Sequence, residues 1–437
     1  MRRPALIPLL VLAVGVPTGL TWRAAAAASS EAASTAAASR ADNEARIRDA
    51  DIVFFTARVA ADPLGARDLQ QLAALHLARG RATGSPTDLA TAATLARTSL
   101  AHRRSRNDQA RFVLANALMG EHEFEEALAQ ADTLVSETPT DPTRRSLQAE
   151  LLMELGRYDE ARAAFARVHS AVGNPSVAAR RARWADIAGD PAGARRLLDA
   201  ARREAFAQHA LPIEQRAWFE LRLAELALRE GRFRDADAGF AAALRAAPND
   251  HRAMLGHARL AAAEGDAATA AARAEAAMER TPSPEAFALL ADAAAARGDQ
   301  QSALGYLRAL EVQTLAAPGA VHRPLALQLL AHGRAVAQLH ARAEADLMRR
   351  RDIYGWDLAA AARLAIGDTA GAAAAADSAV ALGTADAALV ARAGVIALAA
   401  GDAETARARL TRAFRIAPSW DLRETAVARR ALAALSR

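Results

Sequence analysis

The sequence predicts an all-α solenoid of about ten stacked helix-turn-helix units. Hydrophobic residues make up 52% of the 437 but aromatic residues only 4%, and alanine supplies much of the apolar share. Alanine packs helices closely and suits strands poorly. Glycines at 156, 189, 231, 265, 298, 333, 367 and 401 recur at separations of 33, 42, 34, 33, 35, 34 and 34 residues. Small residues keep fixed distances from these glycines. Seven positions before them stand Ala149, Ala182, Ala224, Ala258, Ala291, Ala326, Ala360 and Gly394, and five after stand Ala161, Ala194, Ala236, Ala270, Ala303, Ala372 and Ala406.

Taken in chain order, residues 1–26 read as an export signal. Arg2 and Arg3 form a positive start, residues 5–20 are apolar, and Ala24, Ala25 and Ala26 suit a small-residue cleavage site. The apolar stretch is also near the length that spans a bilayer, so an uncleaved membrane anchor is the alternative. Either way the remainder is expected outside the cytoplasm, periplasmic or secreted. Residues 27–42, almost wholly Ala, Ser and Thr, cannot build a core and read as a linker. Residues 43–65 hold an amphipathic helix, with Ile47, Ile52, Phe54, Phe55 and Val59 available to pack, that stops before Pro63. The repeat array follows over 66–420, and a helix within 421–437 is expected to cap its open end, as solenoids require.

Within each repeat the residue types have physical reasons. Glycine ends the first helix because it accepts the left-handed conformation at a helix C-terminus. The paired small residues let the two helices cross closely, where leucine would force them apart. Phe165, Phe240 and Leu410 are placed to pack on the next repeat, and Pro139, Pro248, Pro282 and Pro418 stop the second helix. The fullest copy spans residues 217–250 and the next follows without a gap. Departures are local. The first repeat, around Gly80, carries an insertion before its second helix, and His122 replaces the turn glycine of the second. About eight residues are added between Gly189 and Gly231, and Gln338 stands where alanine is expected.

These residues carry a resemblance: from about Ala66 onward the chain is similar to tetratricopeptide repeat proteins. The resemblance implies a right-handed superhelix whose first helices line a concave groove that binds peptides or protein segments. It also implies that the residue six before each turn glycine points inward. These are Asn116 (placed through His122), Glu150, Arg183, Glu225, Arg259 and Asp292, then Leu327, Ala361 and Val395. The switch suggests a polar, mixed-charge N-terminal groove and a drier C-terminal one. Phe112, Trp218, Arg222 and Arg252, then Arg323, Tyr354 and Asp357, are neighbouring groove candidates. The carboxylate clamp of chaperone-binding members needs lysine, and this chain has none.

Other function classes find little support. Arg2, Arg3 and Arg23 lie in the leader, and without them the formal charge of +5 falls to +2. The interleaved Arg and Asp/Glu lack the clustered basic face that nucleic acid needs. No cysteine is available for a disulfide, a thiolate zinc site or a lipid anchor. No nucleophile elbow, zinc pair, phosphate loop or dinucleotide fingerprint is present, and the histidines lack metal-ligand spacing. The reading is a non-enzymatic scaffold, without cofactor or metal, that holds a partner protein or peptide outside the cytoplasm. A structural subunit of an envelope or secretion assembly, and glycan or lipid recognition by the apolar C-terminal groove, are the alternatives.

Overall fold

The computed structural model describes residues 19–168, 173–208, 211–316 and 321–435, with side chains from residue 40. The leader expected over 1–26 lies largely outside the described residues. Among the described residues there is no strand, and no helix is long and apolar enough to cross a membrane.

Helix α1 (Gly19–Ala61) precedes ten helix pairs. They are α2 (Ala66–Thr83) with α3 (Pro86–His102), α4 (Asp108–Gly120) with α5 (Phe124–Glu137), and α6 (Pro142–Glu154) with α7 (Tyr158–Ala166). Next come α8 (Pro175–Ile187) with α9 (Pro191–Phe206), α10 (Ile213–Arg229) with α11 (Phe233–Ala246), and α12 (His251–Glu264) with α13 (Ala267–Arg280). The last four are α14 (Pro284–Ala296) with α15 (Gln300–Ala316), α16 (Arg323–Ala331) with α17 (Val336–Arg349), α18 (Ile353–Ala365) with α19 (Thr369–Val380), and α20 (Ala387–Ala399) with α21 (Ala403–Ile416). Helix α22 (Glu424–Leu435) packs on the final pair.

The 27–42 segment carries helical backbone continuous with α1, where its composition suggests a coreless linker. Its alanines are the strongest helix formers, so once Ile52 is buried against the array the helix can extend N-terminally. Every alanine in the two small-residue registers is buried. Space there is fully used: a Cβ on Gly239 would lie 2.8 Å from that of Ala224, and one on Gly394 would lie 2.9 Å from Leu410 Cγ. The eight turn glycines all have positive φ, between 65° and 90°, and His122 takes the same place at 63°. The added residues after Gly189 give a longer second helix, α9. Around Gly333 the pattern is distorted: α16 is short, and Ala335 precedes α17 at a φ of 49°.

The superhelix winds tightly enough for successive turns to touch. The Arg351 amide donates to the Leu155 carbonyl at 3.2 Å, the Ile353 amide to the Tyr158 hydroxyl at 2.7 Å, and the Ser419 hydroxyl to the Ala263 carbonyl at 2.5 Å. A Cβ on Gly189 would collide with the Gly383 carbonyl oxygen, so this turn needs glycine for its approach as well as for its φ of 86°. Beside Arg351 and Ile353 lies a buried ion network. Arg323 bonds Asp346 at 2.8 Å and both oxygens of Asp352 at 2.7 Å, and Arg350 bonds Asp346 at 2.9 Å. Arg350 also sits over the Phe124 ring at 5.2 Å, and Arg349 pairs with Glu123 at 2.6 Å.

Candidate binding face

First helices touch one another, α2 with α4, α6 with α8, α10 with α12, α12 with α14, α14 with α16, α16 with α18 and α18 with α20, and ion pairs bridge α4 to α6 (Asp108–Arg144) and α8 to α10 (Asp186–Arg229). They therefore form one wall, and residues a turn apart on them share its inner face.

On this wall α6, α8 and α10 are joined by ion pairs between repeats. Glu150 of α6 accepts from Arg180 of α8 at 2.8 Å, Arg183 of α8 pairs with Glu154, and Arg229 of α10 pairs with Asp186. Arg222 pairs with Glu225 at 2.6 Å within α10 and stacks on Trp218, 5.8 Å from the ring centroid. The cations and anions sit at different depths. The Arg183 side chain is 48% exposed against 17% for Glu154, and Arg222 44% against 18% for Glu225. The Arg183, Arg222 and Arg229 guanidiniums stand farther out than their carboxylate partners, whereas Arg180 and Glu150 are both covered. Arg259 projects too and has no carboxylate within ion-pair distance among the described residues; its Nε donates to the Leu255 carbonyl at 3.4 Å.

The titration directions follow this geometry. Burial holds Glu154 and Asp186 above the ordinary carboxylate range despite Arg183 and Arg229. Burial acts on Glu225 in the same sense, but Arg222, Arg259 and Arg229 outweigh it and hold Glu225 below that range. Glu154 holds Arg183 above its ordinary value. Arg183 thus stays charged, while its partner Glu154 is poorly hydrated.

Of the residues that the sequence pattern nominates, the structure gathers Glu150, Arg183, Trp218, Arg222, Glu225 and Arg259 on the inner wall. Three others are otherwise engaged. Asn116 is 2% exposed, its Oδ1 accepting from Arg81 at 2.6 Å and its Nδ2 donating to the Phe112 carbonyl at 2.8 Å. Arg252 folds back on Asp250, the N-cap of its own helix, at 2.7 Å. Asp292 is mostly covered and pairs with His332 at 2.8 Å. Arg323 and Asp357 are buried in ion pairs, Asp357 with Arg392 at 2.6 Å. Sequence reasoning missed Glu154, Arg180, Asp186 and Arg229. They stand three or four residues from the chosen inward positions, and helical periodicity applied to the whole face would have found them.

Farther along, Leu327, Ala361 and Val395 line one half-open cavity of about 280 Å³. Among the described residues there is no group of three His, Cys, Asp or Glu that could hold a metal ion.

No family model matches the chain, and no curated relative matches it. Solved structures do resemble it. PilW, described as a widely conserved type IV pilus biogenesis factor, is 19% identical over 49% of this chain and 96% of its own, with a TM-score of 0.41. A tetratricopeptide repeat protein from Parabacteroides merdae is 16% identical over 56% of this chain and 92% of its own, at 0.39. A human IFIT1 dimer with m7Gppp-AAAA is 14% identical over 73% of this chain and 72% of its own, at 0.49. With its paired helices, left-handed turn glycines and two registers of buried small residues, the chain is an α-solenoid of the tetratricopeptide repeat kind.

Proposed function

We propose that this chain is an extracytoplasmic scaffold that binds a segment of a partner protein along its inner wall, with Arg183, Arg222 and Arg259 making the principal contacts. The observation that carries the reading is the difference in depth between charges: Arg183 and Arg222 project while their partners Glu154 and Glu225 are covered, and Arg259 is exposed with no paired carboxylate among the described residues. Such a wall meets a ligand as a row of forked donors, which favours a segment containing Asp or Glu. Trp218 beneath Arg222 adds an aromatic surface of the kind enriched at binding hot spots. The order of charged, apolar and small residues in the leader supports export.

The test compares partner affinity for an Arg183→Ala plus Arg259→Ala variant with that for Leu327→Ser plus Val395→Ser, at low and high salt. The arginine variant is expected to lose about 2 kcal/mol or more and the salt dependence to shrink. Loss of binding confined to the serine variant, with no effect of salt, overturns the reading.

A further inference from the structure

The apolar stretch of the inner wall is not an open surface. Between α16, α18 and α20 the side chains Leu327, Leu330, Ala361 and Val395 leave a gap, and α22 lays Val427 and Ala428 across it. The half-open space is about 280 Å³ and most of its lining is apolar. An engineered apolar cavity of about 150 Å³ takes a benzene, so this one takes roughly ten carbon atoms. A small residue at position 361 keeps the gap open, since a larger one would project into it.

The polar lining consists of Arg392, Arg423 and Glu424. Arg392 is fully engaged: its Nε and Nη2 hold Asp357 at 3.0 and 2.6 Å, and its Nη1 holds Glu424 at 2.5 Å. Arg423 differs. It donates through Nη2 to the Ala331 carbonyl, and among the described residues no carboxylate lies within ion-pair distance of it. A guanidinium with unused donors therefore adjoins an apolar space, an arrangement that matches a molecule with an apolar tail and an anionic end.

We propose that this cavity binds a small amphiphile, an unbranched chain of about ten carbons ending in a carboxylate, with the tail among Leu327, Ala361 and Val395 and the carboxylate on Arg423. Since Arg392 and Glu424 already pair with each other, the charge left to meet a head group is that of Arg423, which disfavours an ammonium, and an alcohol would leave its forked donors unmatched. The proposal is independent of the arginine row that serves the partner segment.

Calorimetric titration of the full chain with decanoate, decanol, decyltrimethylammonium and an acetylated tripeptide ending in leucine tests it. Decanoate is expected to bind with one-to-one stoichiometry and the ammonium compound not to bind. Arg423→Gln should weaken decanoate at least tenfold and leave decanol unchanged. Ala361→Phe or Val395→Phe should abolish both, with circular dichroism showing which variant is folded, while Arg183→Ala plus Arg259→Ala should bind decanoate as before. Decanoate binding that survives in a folded cavity-filled variant overturns the proposal. So does equal affinity for the ammonium compound, no decanoate binding at all, or binding of the peptide alone.

Discussion

The backbone amide of Ile353 donates to the hydroxyl of Tyr158 at 2.7 Å, joining the first turn of α18 to the start of α7 across 195 residues of chain. The Tyr158 phenol is pushed above its ordinary pKa by burial and by Asp352, so it stays protonated at neutral pH. Tyr158→Phe removes the acceptor and leaves the amide of buried Ile353 unpaired. It should cost about 1–2 kcal/mol in denaturant unfolding, with faster hydrogen exchange at Ile353.

Gly189 and Gly401 have nearly the same φ, 86° and 85°, but only Gly189 faces another backbone, where a Cβ would run into the Gly383 carbonyl oxygen; the Gly401 position is open. Alanine at either site bears about 1–2 kcal/mol of left-handed strain. Gly189→Ala should add about 1–3 kcal/mol of steric conflict, so its thermal melt should fall well below that of Gly401→Ala.

Ala224 is 1% exposed and abuts Gly239 at the crossing of α10 and α11, whereas Arg234 is exposed. Ala224→Leu should destabilise by about 1–3 kcal/mol, and Arg234→Ala by no more than about 0.5. Equal small shifts in the two melts would mean that the repeat register is misassigned.

Burial raises Asp421 to about 6 and Glu424 to about 7, although Arg392 opposes both. Because these folded-state values lie above the unfolded ones, the folded chain binds more protons between about pH 4 and 7. The stability they contribute is complete below the unfolded values and is lost as pH rises through 6 to 7. Docking of α22 should therefore be firmer at pH 5 than at pH 8. Asp88 has the opposite sign. Held down to about 2 chiefly by its hydrogen bonds from Arg79, against some burial, it contributes stability above its unfolded value that is lost as pH falls toward 2. Thermal melts across pH 2–8 should show a maximum near 5, and Glu424→Gln should flatten the alkaline side.

Much of the fold was legible because its determinants are local and repeat. A glycine that must turn left-handed and an alanine that must let two helices cross can each be read from a position and its neighbour one repeat away. The inner wall was legible only along one row, since choosing a single inward position passed over Glu154, Arg180, Asp186 and Arg229 on the same face. Asn116 shows a second limit. Its position is inward, but Arg81, 35 residues earlier, consumes its amide. The contacts of Gly156, Gly189 and Gly231 with Arg351, Gly383 and Pro418 left no sequence signal separable from the glycine each turn already required.

Those contacts alter the mechanics of the molecule. A solenoid whose units touch only their neighbours behaves as a chain of nearly independent links, able to nucleate anywhere, fray from its ends and stretch like a spring. Here the coils bear on one another, as in a spring compressed until it is solid. Folding must close loops of nearly two hundred residues before Tyr158 finds Ile353, which slows assembly relative to an open array of equal length. Once closed, a middle repeat cannot unravel without parting two layers, so fraying is confined to the ends and the inner wall keeps a fixed bore.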